Sequence, residues 1–347
     1  IAAAERPLII TSTLPAEAVP QLERLAERCA IPVVTHNPRS VCLPSSHSMH
    51  FGFEPGTLLT DADLVIALES DVPWIPHLQH PPGGCRVAHV GEDPFYVRYP
   101  MRSFPSDLAL QAGPAQALDA LVRAVEPRLQ MADARIAARR ARLTERMRTR
   151  RAQLAKDSTA GTTISPEYLS RVIGETVGKD AIIINEYPLR PDHCAREKPS
   201  TFFALGPAGG LGWGFGAALG AKLAAPDKFV VATLGDGSYM FANPMVGHWV
   251  SAVQNLPILT IVFNNSRYGA VRRATLSLFK DGVAGENDGR TLADLDPSPP
   301  FEEMARAQGA HAERVEKPAD LPEALSRAHN AVINEKRQAM LNVITPY

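Results

Sequence analysis

The sequence predicts an α/β chain built as two doubly wound, parallel-sheet domains. Three observations carry that expectation. Short apolar runs of strand length alternate with stretches of helical periodicity, the order that builds parallel sheets. An Arg- and Ala-rich stretch from Met131 to Asp157 interrupts the alternation once. Finally, 347 residues are too many for one average domain, so two are expected.

Pro7 to Thr11 (PLIIT) reads as a short apolar strand, and Ala16 to Cys29 carries apolar residues at helical spacing. Ile31 to Thr35, Leu64 to Leu68 and Arg86 to Val90 are further strands, and together these make a domain over residues 1–130. Residues 131–160 read as a basic linker helix: the run ARIAARRARLTERMRTRRAQLAKD forms helix readily but has hardly any bulky apolar residue. Its charge suggests a nucleic-acid arm. No aromatic residue interleaves it, however, and the chain's acidic residues cancel it, so a solvated interdomain helix is expected.

A second α/β pattern fills residues 161–347. Pro166 to Val177 is a helix, Ala181 to Ile184 a strand, and a glycine-rich helix spans about Ala208 to Ala225. Phe229 to Leu234 is a strand, Asn243 to Gln254 a helix and Leu256 to Phe263 a strand. Residues 276–300 are polar, rich in Gly, Asp and Pro, and read as a long loop of the kind that serves as a lid. A strand near Ala312 to Val315, a helix near Pro322 to Val332 and a last strand, Ala339 to Thr345, close the domain.

Composition narrows the function. With 45% hydrophobic and 21% charged residues the chain is ordinary globular protein. A formal net charge of −1 creates no field favouring nucleic acid or an anionic membrane. The longest apolar runs have buried-strand length and fall far short of a membrane span. Cys29, Cys42, Cys85 and Cys194 are scattered without a CxxC pair, which fits a reducing, cytoplasmic setting. The chain opens Ile-Ala-Ala-Ala-Glu-Arg, with neither an initiator Met nor a signal-peptide pattern, so an upstream segment is expected.

The chemistry concentrates in Gly235-Asp236-Gly237-Ser238 and the later pair Asn264-Asn265. One strand ends where the acid sits, a helix crosses back, and the next strand ends at the two Asn. In a βαβ unit those carboxyl ends lie on one edge of the sheet, where open α/β sheets bind ligands. Neighbouring strands there stand about 4.8 Å apart. A carboxylate and an amide carbonyl so placed are oxygen ligands for one hard cation. Mg²⁺ takes an octahedron of oxygens and usually keeps phosphate oxygens in its shell. Gly235 and Gly237 let the backbone approach a diphosphate closely, and Ser238 can donate to it. Gly210-Leu-Gly212-Trp-Gly214 lacks the spacing of a dinucleotide loop.

GDGS…NN resembles the thiamine diphosphate motif of the acetolactate synthase, pyruvate decarboxylase and benzoylformate decarboxylase superfamily. The run Ala208-Gly-Gly-Leu-Gly-Trp-Gly-Phe-Gly-Ala-Ala-Leu-Gly-Ala-Lys-Leu resembles the segment that precedes GDG there. Asn264-Asn-Ser-Arg-Tyr-Gly-Ala-Val-Arg is most similar to benzoylformate decarboxylase-like enzymes, and Leu43-Pro-Ser-Ser-His-Ser-Met-His-Phe-Gly resembles the family's middle domain. The resemblance implies thiamine diphosphate and Mg²⁺ as cofactors. It matches Asp236, the Asn265 side chain and the Arg267 carbonyl to the metal ligands. Gly237 and Ser238, with the amides near Tyr268 and Gly269, match the diphosphate cradle. Leu211 matches the residue that props the cofactor in a V shape, and the Gly209 carbonyl the acceptor for its aminopyrimidine. The implied activity is decarboxylation of a 2-oxo acid, or carboligation.

His77 falls where benzoylformate decarboxylase-like enzymes place an active-site His on a middle-domain loop, and an imidazole suits proton shuttling; His80 is the alternative. His248, His47 and His50 are read as structural or loop residues. The family's activating Glu sits on a pyrimidine-binding domain that precedes the middle domain and is absent from this sequence. That half of the site is expected from upstream sequence or another chain, in a homodimer or homotetramer. A flavin-assisted oxidase on the same scaffold and a catalytically silent cofactor-binding subunit are the rival readings.

Overall fold

A computed structural model describes residues 1–206, 209–286 and 293–346. They form two compact units, Ile1–Lys156 with Ala195–Phe203, and Asp157–Cys194 with Ala204–Tyr347.

The first unit is built on β1 (Pro7–Thr11), β2 (Val33–Thr35), β3 (Leu64–Leu68), β4 (Arg86–Gly91) and β5 (Leu108–Gln111). All pair parallel, in the order β2-β1-β3-β4-β5, with Ile9 between Val33 and Ile66. Every β1 residue is buried, as expected for a strand covered on both faces. The sequence reading missed β5 because LALQ is short and largely exposed. In this strand order the ligand crevice falls between the carboxyl ends of β1 and β3. Ser12 fills part of it: its Oγ donates to the His36 carbonyl at 2.8 Å and lies 2.9 Å from Ser70 Oγ.

The basic helix runs from Leu129 to Asp157 and buries Ala132, Ile136, Arg139, Leu143 and Met147 on one stripe. Leu143 and Met147 join the core of the first unit, and Ala132 and Ile136 pack against Ala30. The sparse apolar residues thus sit at the spacing that anchors one face of the helix.

The short strand β7 (Phe202–Ala204) straddles the boundary between the units, and the second unit is built on β6 (Ile182–Glu186), β8 (Val230–Gly235), β9 (Leu259–Asn264), β10 (His311–Val315) and β11 (Ala339–Ile344), in the order β10-β11-β9-β8-β6. The ladders from β10 through β6 are parallel. Ahead of β6, Ser165 caps the helix Pro166–Val177 by accepting the Tyr168 N–H at 3.1 Å, with Pro at the first helical position.

Two local expectations fail for physical reasons. The glycine-rich helix begins at Trp213 and not near Ala208, a residue outside those described. Gly212 has φ +89, which starts no right-handed helix, and a Cβ there would lie 2.8 Å from the Ala242 backbone. The expected loop at 276–300 is partly helical: Gly269–Leu278 and Val283–Glu286 form helices, and 287–292 lie outside the described residues. Among the described residues no helix is long and apolar enough to cross a membrane.

Candidate functional site

Strands β8 and β9 are parallel neighbours, and Gly235 pairs with Phe263, so their carboxyl ends share one edge of the sheet. A cavity of about 600 Å³ opens at that edge, a volume typical of small-molecule sites. Leu211, the run Gly235–Ser238, Asn265 and the run Arg267–Gly269 border it, joined by Glu186 and Tyr187 past the end of β6. Gly209 does not border it; it lies in the loop leading to Leu211, with φ +27.

Asp236 starts the helix Asp236–Phe241 directly after β8 and is 2% exposed. Its Oδ1 accepts the Gly237 N–H at 2.8 Å and its Oδ2 the Arg267 N–H at 3.1 Å. The same Arg267 N–H also reaches Asn265 Oδ1 at 3.1 Å. One backbone donor therefore gathers the carboxylate and the amide oxygen, which stand side by side at the cavity. Burial pushes the Asp236 carboxyl up to about 6, against the opposing pull of its backbone N–H partners. A buried carboxylate without a cation among the described residues, beside an amide oxygen and the Arg267 peptide, is an all-oxygen donor set that fits Mg²⁺.

The two Asn separate cleanly. Asn264 ends β9 and is fully buried, donating to Ser298 Oγ at 2.8 Å and Asn342 Oδ1 at 2.9 Å. It braces the strand end, while the next residue, Asn265, takes the cavity side. Beyond them, the Arg267 guanidinium lies 3.0 Å from Asp294, and the Tyr268 N–H donates to the Ala293 carbonyl at 2.7 Å. The Tyr268 amide is thus engaged within the loop. Gly237 is required to be small: a Cβ there would sit 2.5 Å from the Tyr268 ring.

Glu186 escaped the sequence reading. It ends β6 on the same edge, is fully buried, and its carboxylate accepts the Gly212 N–H at 2.7 Å and the Gly214 N–H. A carboxylate at the first turn of the helix Trp213–Ala224 meets its positive end and unsatisfied amides. It thereby fixes the backbone from the Leu211–Gly212 turn into the start of the helix. The signal was available: an acid ending the apolar run AIIIN at a strand's carboxyl end.

His248 is buried and lies in a chain of contacts behind the motif. The Gln338 oxygen, which can only accept, holds His248 Nδ1 at 2.7 Å, so Nε2 accepts from the Tyr239 hydroxyl at 2.7 Å. Burial holds this imidazole below its usual range, in keeping with a structural role. In the first unit, His50 is buried and pushed down to about 3, and His47 Nδ1 accepts the Met49 N–H at 3.1 Å. His77 is exposed on the loop after β3; His80, also exposed, lies 3.0 Å from the Pro81 carbonyl through Nδ1.

Residues 1–121 match the family model for the central domain of thiamine pyrophosphate enzymes, and residues 191–343 the model for their C-terminal TPP binding domain. An acetolactate synthase of Mycobacterium avium is 27% identical over 97% of this chain and 55% of its own length. Sulfoacetaldehyde acetyltransferase of Castellaniella defragrans is 24% identical over 99% of this chain and 61% of its own length. The chain therefore spans somewhat over half the length of these relatives. A solved structure of a thiamine diphosphate-dependent 4-hydroxybenzoylformate decarboxylase from Rhodococcus jostii RHA1 shares the fold, with a TM-score of 0.72 and 21% identity, covering all of this chain and 62% of that one. A second solved structure, from Mycobacterium smegmatis, shares the fold with a TM-score of 0.73 and 20% identity, covering all of this chain and 62% of that one. By its two matched domains and the motif that lines its cavity, the chain belongs to the thiamine pyrophosphate enzyme family.

Proposed function

We propose that these residues hold the diphosphate and Mg²⁺ half of an active site that decarboxylates a 2-oxo acid or transfers the resulting acyl unit to an acceptor. The observation that carries this reading is the pairing of Asp236 and Asn265 oxygens on one Arg267 N–H at the cavity edge. Asp236, the Asn265 side chain and the Arg267 carbonyl would bind Mg²⁺. Gly235, Gly237, Ser238 and Gly269 would face the diphosphate, and Leu211, fixed through Glu186, would shape the bend between the two rings. When bound, thiamine diphosphate supplies a carbon acid that adds to the 2-oxo carbonyl and takes up the electron pair released with CO₂.

The pyrimidine-binding domain, with its activating carboxylate, would come from upstream sequence or another chain. His77 would move protons on the substrate side. We also place the working enzyme in the cytoplasm, in keeping with four free thiols, and as a homodimer or homotetramer. Supporting assembly, Met240, Phe241, Met245, Trp249 and Val253 present large exposed apolar surface on the helices Asp236–Phe241 and Pro244–Val253. A screen of 2-oxo acids against the full-length enzyme with thiamine diphosphate and Mg²⁺, following CO₂ release, tests the reading. Turnover of at least one substrate is expected; binding of the cofactor without decarboxylation or carboligation of any would favour the silent subunit.

A further inference from the structure

Arg139 stands in the middle of a stripe that is otherwise apolar, between Ile136 and Leu143. It is 2% exposed, and none of its three guanidinium nitrogens has a hydrogen-bond partner among the described residues. Burying an unpaired guanidinium is strongly unfavourable, so a protein keeps one where something neutralises it. The nearby acid acts on it through its field without a hydrogen bond: the Asp63 oxygens accept the Glu5 N–H at 2.6 Å and the Arg6 N–H at 2.9 Å, and none bonds the guanidinium. Cys29, Arg135 and Arg142 are the other titratable groups around it, and burial holds the Cys29 thiol above its usual range, in the neutral form.

The same side chain borders a cavity of about 100 Å³ at the amino ends of β1 to β3, lined also by Arg6, Leu58, Asp61, Arg142 and Arg146. Its cations rest mainly on neutral acceptors. Arg6 Nε donates to the Asp61 carbonyl at 2.6 Å, Arg142 to the Glu5 carbonyl at 3.3 Å, and Arg146 to the Thr57 hydroxyl. Among the described residues, Arg6 alone of these four has an acid within ion-pair reach, Glu5 at 3.6 Å on the surface. Residues 139, 142, 143 and 146 fall on one helix face, so three guanidinium groups are presented together. Four arginines against one lining carboxylate leave a positive excess, and guanidinium forks match the oxygens of a tetrahedral anion. The cavity lies wholly within the first unit, on the edge of its sheet opposite the β1–β3 crevice.

We propose that this cavity binds a tetrahedral oxyanion, inorganic phosphate or the phosphate group of a small metabolite, with Arg139 as its inner donor and Arg6, Arg142 and Arg146 as further donors. The test uses full-length enzyme saturated with thiamine diphosphate and Mg²⁺, so that the diphosphate site is filled. Inorganic phosphate and glycerol 3-phosphate are titrated at constant ionic strength, with thermal unfolding and hydrogen exchange as readouts. Phosphate should raise the unfolding temperature saturably and slow exchange in segments 58–63 and 136–147. Arg139→Met should weaken that response at least tenfold. If this variant does not fold, Arg142→Gln and Arg146→Gln serve in its place, each weakening binding severalfold. Tighter binding of glycerol 3-phosphate assigns the site to a phosphorylated metabolite; tighter binding of phosphate assigns it to the free ion. The proposal is overturned if neither anion gives a saturable response, if the variants respond as wild type, or if protection appears only around 235–238 and 265–269.

Discussion

Replacing Glu186 by Gln removes one charge without changing shape, and its effect can be worked from the geometry. The carboxylate accepts two backbone N–H groups, from Gly212 and Gly214, while fully buried. Gln keeps one acceptor oxygen and turns an NH₂ toward the other amide, so one charge-assisted bond of ~1.5–3 kcal/mol is lost. Loss of the negative charge at the first turn of Trp213–Ala224 removes roughly 0.3–2 kcal/mol more. Relief of the buried charge offsets part of this, and a net destabilisation of about 2–3 kcal/mol is expected. Since Leu211 is next to Gly212, cofactor affinity should weaken as well. Urea unfolding of wild type and variant at neutral pH gives the first quantity, and calorimetric titration with thiamine diphosphate and Mg²⁺ the second. A loss under about 0.5 kcal/mol with unchanged affinity would refute the role assigned to this carboxylate, since it lies below the lower bound of a charged hydrogen bond.

The Asp236 carboxyl, raised from 3.8 to about 6 by burial, gives a pH signature. The folded metal-free protein holds this proton more tightly than the unfolded chain, so its contribution to stability falls as pH rises from 3.8 to about 6. Asp236→Asn should flatten that window in urea titrations. Mg²⁺ needs the ionised form, so its affinity should decline as pH falls below about 6, and calorimetry showing none of that decline would contradict the assignment. His77→Ala in the full-length enzyme should lower kcat by roughly 10²-fold with cofactor affinity unchanged. Normal turnover would make His77 a surface residue and move the test to His80.

Much of the site could be read because its chemistry is local in sequence. Asp236 and the Asn pair each follow an apolar run, and strand pairing alone brings two such ends together. Choosing between Asn264 and Asn265 was beyond spacing, since it depends on Asn342 and Ser298, far along the chain, claiming the first. Glu186 was passed over because its partners, the Gly212 and Gly214 amides, exist only once a turn of positive φ has folded. Polar composition past residue 280 hid the helix Gly269–Leu278, whose apolar positions begin before it. Similarly, the basic helix concealed its buried stripe because an arginine occupies the central position. Short strands such as β5 and β7 carry too few residues for periodicity to register.

The central claim is that Asp236 and Asn265 hold the metal through which the diphosphate binds. It is met most directly by titrating thiamine diphosphate with Mg²⁺ into wild type, Asp236→Ala and Asn265→Ala by calorimetry, with circular dichroism as a check on folding. Asp236→Ala should lower affinity at least tenfold, about 1.4 kcal/mol, because a charged ligand is lost. Asn265→Ala should lower it less, because a neutral ligand is lost. Equal affinities in all three folded proteins would contradict the account.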